Sequence, residues 1–135
     1  PLPIAESERA PFIMQEIERG RFFCSAGLLG GPPRFRFVAM RDDEETASVG
    51  EAVPMSAATQ LRVRAPALES PDTSLVLLRN GEPIVRTHQG MLTYDKPSLG
   101  TYRVEVWMRL PNLVLGERQV PVLYSNRIQV VADPP

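Results

Sequence analysis

Gly100 to Leu110, GTYRVEVWMRL, is the longest and most regular strand signal in the chain. Tyr102, Val104, Val106 and Met108 fall on one side of it and Thr101, Arg103, Glu105, Trp107 and Arg109 on the other, the period of two that a half-buried strand requires. It reads as a central strand rather than an edge, with Tyr102, Val104, Val106 and Met108 turned to the core and Trp107 turned outward.

Working back from it, Ser74 to Arg79, Asn80-Gly81 and Glu82 to Thr87 form the clearest short-range signal. Asn-Gly supplies the two positive φ angles of a type I′ turn, so the flanking runs are expected to pair as an antiparallel hairpin. Gln60 to Ala65 and Arg34 to Met40 alternate too, with Leu61, Val63 and Ala65 on one face and Phe35, Phe37 and Ala39 on the other run's core face. Phe22 to Leu28 reads as a first strand, Met91 to Tyr94 as a short one, and Gln119 to Val131 as the last, bent near Ser125-Asn126. Gly30, Gly31, Pro32 and Pro33 break the chain after the first strand. Ahead of the strands, Pro11 to Arg19 has Ile13 and Ile17 four apart with Met14 beside them, and Gly20 follows as a stop. This predicts one short amphipathic helix, whose apolar edge needs a surface to lie on because so short a helix is not stable alone. The fold expected is mainly β: an antiparallel immunoglobulin-like β-sandwich of seven or eight strands with one short N-terminal helix. Residues 1–20 read as a linker and helix, and residues 21–135 as the sandwich.

A chain of 135 residues with 43% hydrophobic and 23% charged residues has the composition of one globular domain. The net charge of -1 gives no basic field for a phosphate backbone, so no nucleic-acid partner is expected. Of the 15 basic residues all but Lys96 are arginine, spread along the chain among acids. Arg34, Arg36, Arg62 and Arg64 read as a solvent-facing stripe. No apolar run approaches the roughly 20 residues of a membrane span, and the single cysteine excludes an internal disulfide and leaves the compartment open. The first residue is Pro1, which suggests a fragment or a processed product.

Chemistry is sparse. A structural zinc site takes about four Cys or His ligands, and only Cys24 and His88 are present. Asp42, Asp43, Glu44 and Glu45 lack the spacing of a calcium loop and read as a solvated acidic stretch. His88 reads as a surface residue and Cys24 as a small buried hydrophobe. Gly27, Gly30 and Gly31 are followed by prolines where a phosphate-binding helix would begin. No catalytic residue, metal ligand or cofactor site is therefore assigned. The candidate interface residues are Ile13, Ile17 and Trp107. Trp107 is either packed beneath another element or part of an interface.

Three stretches together carry a resemblance. LVLLRNGEPIVR, SLGTYRVEVWMRL and VPVLYSNRIQVV are similar, in this order, to a Leu-Arg-x-Gly hairpin, a Gly-x-Tyr-Arg-Val-Glu strand and a closing Trp-Ile-Tyr-Ser-Asn-Pro-Ile strand. These recur in the C-terminal β-sandwich of metallohydrolases of the PHP (polymerase and histidinol phosphatase) superfamily. Val122 and Arg127 depart from that pattern, standing where tryptophan and proline are frequent. IMQEIERGRFFCSAGLLG looks like the last helix of the hydrolase domain running into the first sandwich strand. The resemblance implies a noncatalytic accessory domain that packs on an upstream catalytic domain of the same chain, with divalent metals held by that domain alone. The alternative is an independent immunoglobulin-like binding module for carbohydrate or protein in a surface or secreted protein. The oligomeric state is not legible.

Overall fold

The computed structural model describes residues 5–26, 34–111, 114 and 116–135. A helix, α1 (Glu6–Glu18), is followed by eleven strands: β1 (Phe23–Ser25), β2 (Arg36–Arg41), β3 (Glu44–Ser48), β4 (Ala52–Pro54), β5 (Gln60–Arg64), β6 (Thr73–Arg79), β7 (Glu82–Thr87), β8 (Met91–Asp95), β9 (Gly100–Leu110), β10 (Arg118–Ser125) and β11 (Ile128–Val131). They form two sheets facing one core, a mainly antiparallel β-sandwich with a short N-terminal helix.

In the seven-stranded sheet β9 is the spine. One of its edges pairs with β6, which pairs in turn with β7, while the other edge is shared between β10 along Glu105 to Leu110 and β11 along Gly100 to Tyr102. Beyond β10 lies β1, and beyond β11 lies β4, the one parallel pairing among the described residues. The break between β10 and β11 falls at Ser125-Asn126, where the sequence places a bend. Ser125 stabilises the break by accepting the Val104 N–H on its Oγ at 2.8 Å and donating to the Asn126 carbonyl. The second sheet runs β3, β2, β5, β8.

Alternation decides what the core contains. Tyr102, Val104 and Val106 of β9, Leu75 and Leu77 of β6, Leu123 of β10 and Ile128 of β11 meet Phe37, Ala39, Leu61, Val63 and Leu92 from the other sheet. The Tyr102 ring is fully buried, and its hydroxyl donates to the Ser98 carbonyl at 2.8 Å, four residues upstream. That tyrosine corner gives the buried phenol its partner and ties the entry of β9 to the preceding turn.

The strand count exceeds the sequence expectation because β3 lies in a polar stretch, β4 is only three residues long, and the bent last strand is divided into β10 and β11. Asp42 and Asp43 adopt positive φ (49° and 64°) and turn β2 back into β3, so the acidic stretch is a hairpin with a charged edge strand. The helix also begins earlier than expected, at Glu6, and Pro11 lies inside it. Gly20, with φ of 72°, ends it as the sequence predicts: its N–H bonds the Ile17 carbonyl and the Arg21 N–H bonds the Glu16 carbonyl. The Gly30 to Pro33 break and Gly27 lie outside the described residues.

Candidate interaction surface

The outward side of β9 is not a plain solvent face. Glu105 is only 7% exposed, and both its oxygens are engaged: Arg103 reaches Oε1 at 2.9 Å and the Trp107 indole N–H donates to Oε2 at 2.9 Å. Across the sheet Trp107 stands between Ser74 on β6 and Pro121 on β10. It is half-buried, held to its own strand by Glu105, with part of its surface still in contact with water. Beside this row Val76 and Leu78 of β6 are buried although they point outward, so the neighbouring long side chains cover aliphatic surface.

The row continues toward β1. Tyr124 lies opposite Glu105 and is 42% exposed, Cys24 lies opposite Tyr124, and Phe22 precedes Cys24 on the same side of the chain. The expectation of a buried cysteine is wrong for a simple reason of register. Phe23 points inward against Phe35, with ring centroids 5.3 Å apart, and alternation then turns Cys24 out. Phe22 and Cys24 were legible only through this alternation in FFCS, Tyr124 joins them only through the β1–β10 register, and the buried Glu105 had no sequence signal.

On α1 the apolar edge is uncovered. Phe12 and Glu16 are half-buried, whereas Ile13, Met14 and Ile17 are 44%, 56% and 48% exposed, so the requirement that this edge lie on something is not met among the described residues. Ile17 and Phe22 line one cleft of about 360 Å³ with Gly50, Asn126 and Arg127. Trp107 is not among the residues that line this cleft.

The remaining chemistry-bearing side chains are dispersed. His88 is exposed, and its Nδ1 donates to the Thr73 carbonyl at 2.8 Å, which fixes the ring. No cluster of three or more His, Cys, Asp and Glu side chains suited to a metal occurs among the described residues. Asp43 turns to Arg62, and Glu45 to Arg36. Three of the four stripe arginines lie on the outer face of the smaller sheet, where Arg36 is opposite Arg64 and Arg62 opposite Val38, while Arg34 precedes β2 and is exposed. It is partly neutralised by those acids, and Val38 and Met40 are buried on the same face. A cleft of about 650 Å³ lies where two connections cross between the sheets, lined by Met55, Ala58, Thr59, Asp95, Lys96 and Pro97. Two carboxyls are held below their ordinary values. Glu51 is lowered chiefly by the Ser48 backbone N–H, with burial opposing and Arg21 adding to the lowering, and Asp133 is lowered by its bonds to Ser56. No helix among the described residues is long and apolar enough to cross a membrane.

No family model, curated protein or solved structure matches the chain.

Proposed function

We propose that the chain is a noncatalytic β-sandwich module that docks, through the Ile13, Met14 and Ile17 edge of α1, on a neighbouring catalytic domain. The observation that carries this reading is the exposure of that edge on a helix whose C-terminal end is fastened to the sandwich at Gly20. Three large aliphatic side chains together on one helix are an apolar patch rather than scattered exposed residues. The three motifs around the Asn80-Gly81 hairpin, Gly100 to Glu105 and Val122 to Ile128 favour a PHP-type metal-dependent phosphoesterase as the parent, with the metals held by its catalytic domain.

Two measurements test it. The isolated chain, given Mn²⁺ or Zn²⁺ and bis(p-nitrophenyl) phosphate, is expected to show no turnover above the metal-only control. Sequencing the reading frame on both sides of the chain is expected to reveal a histidine- and aspartate-rich hydrolase. Metal-dependent turnover at an enzyme-like rate, or a frame of adhesin repeats with no hydrolase, would sink the proposal.

A second reading rests on a different observation: half-buried Trp107 and exposed Tyr124 both neighbour Glu105, one bonded to it along β9 and the other opposite it on β10. An aromatic face beside Arg103 suits a binding module for carbohydrate or protein. Glycan arrays and pull-downs run with wild type and Trp107→Ala decide it. Binding lost in the variant supports this reading, and no binding by either protein removes it.

A further inference from the structure

The joint between α1 and the sandwich is built from backbone in close approach. Gly20 and Gly50 lie back to back: a Cβ on Gly20 would be 3.2 Å from the Gly50 Cα and 2.5 Å from Asn126 Nδ2, and one on Gly50 would be 2.7 Å from the Gly20 carbonyl carbon and would collide with the Arg19 carbonyl oxygen. Both glycines have positive φ, 72° and 89°, so a side chain is excluded by conformation as well as by space. Asn126 then closes the contact from the β10–β11 break. Its Nδ2 donates to the Gly20 carbonyl at 2.8 Å, its own N–H donates to the Phe22 carbonyl, and its Oδ1 accepts the Arg127 N–H at 2.8 Å, which fixes the side chain. On the other side the Gly50 N–H donates to the Arg127 carbonyl at 2.7 Å. Arg21 bridges the two segments, 2.7 Å from Glu51 Oε1 and 3.7 Å from Glu16 on the helix.

Glycine at a junction has two physical uses. It can supply a hinge, by leaving φ and ψ free, or it can allow two backbones to touch, in which case the space of the missing side chain is filled and the freedom is spent. Gly20 and Gly50 are of the second kind, and their neighbours are cross-bonded on both sides.

We infer that the Gly20–Gly50–Asn126 contact is a rigid joint that fixes the direction of α1, so that the helix and the sandwich move as one body. The joint stands whether or not the docking reading does. If α1 docks, its edge is oriented in advance and little ordering entropy is lost on binding.

The native Cys24 provides one label position and Glu8→Cys on the exposed outer part of α1 a second, for distance measurement by double electron–electron resonance on the whole chain. The expected result is a single narrow distance distribution, which Gly50→Ala broadens or splits while circular dichroism shows an intact sandwich. Should Gly50→Ala fail to fold, Asn126→Ala, which removes the Gly20 bond without a steric clash, is expected to broaden the distribution. A broad or multiple distribution without either substitution overturns the joint, as does an unchanged width in a folded variant.

Discussion

β9 and α1 are both two-sided elements, and they spend their sides differently. β9 buries Tyr102, Val104 and Val106 on one side and on the other engages Glu105 with Arg103 and Trp107, so that no buried polar side-chain atom among the described residues lacks a partner. α1 has no fully buried residue, and it is held at its last turn by backbone contacts at Gly20. The difference separates what the fold needs from what it presents. Removing apolar surface from β9 or its neighbours should damage folding, whereas removing it from α1 should leave folding intact.

The same substitution in the two regions is the strongest way to break this contrast. Ile128, fully buried opposite Tyr102, is expected to cost about 2–5 kcal/mol on Ile128→Ala, as truncation of a packed core side chain does. A urea titration should show the midpoint falling with little change in slope. An effect no larger than that of a surface substitution would mean that the lower half of β9 is not the centre of the core. Next comes Ser125→Ala, which leaves the Val104 N–H without its acceptor and should cost about 1–3 kcal/mol, the desolvation penalty of an orphaned buried donor. The bend at Ser125-Asn126 would then be shown to depend on its hydroxyl. Tyr102→Phe keeps the ring and removes only the bond to Ser98, so a loss of about 0.5–1.5 kcal/mol is expected from the same titration. No loss would make the corner a by-product of ring packing.

These sites also show how much could be read from residues alone. Alternation in GTYRVEVWMRL identifies the core face, Asn80-Gly81 the β6–β7 hairpin, and Gly20 the end of α1, because each is a local rule obeyed by neighbouring residues. The β2–β3 hairpin escaped because Asp42-Asp43 is an uncommon pair for two positive φ angles, and the charges of Glu44 and Glu45 conceal a strand whose edge they protect. Glu105 escaped for the opposite reason: its burial depends on Arg103 and Trp107 being present on the same face, a property of three-dimensional neighbours. The exposed apolar edge of α1 was legible as an apolar edge, but its lack of cover depends on how the joint at Gly20 directs the helix. Gly50 and Asn126, which direct it, are 30 and 106 residues away in sequence and carry no motif.

The joint has a smaller, pH-dependent signature. Because the Glu51 carboxyl is lowered when folded, by the Ser48 N–H first and Arg21 after it, its contribution to stability is present above the unfolded glutamate value of about 4.3. It is lost as pH falls from there through the lower folded value. Melting curves across this window should fall less steeply for Glu51→Gln than for wild type. Equal slopes would show that Glu51 does not couple the Ser48 turn to Arg21 in solution.

The smallest expected effect is the most informative about α1. Ile17→Ala is 48% exposed in the native state, so little apolar surface is returned to water and stability should change by no more than about 0.5 kcal/mol, against the several lost at Ile128. Ile13→Ser with Ile17→Ser extends the test, since polar residues on an uncovered edge cost the fold nothing and should make the isolated chain less prone to associate at high concentration, as light scattering would show. A destabilisation of the double variant comparable to that of Ile128→Ala would mean that the edge is covered in solution, and α1 would then belong with β9 as part of the fold. With folding unchanged, the same variant becomes the reagent for docking, because it removes the proposed contact and leaves the β9 sheet, the Gly20–Gly50 backbone contact and the Trp107 face as they are.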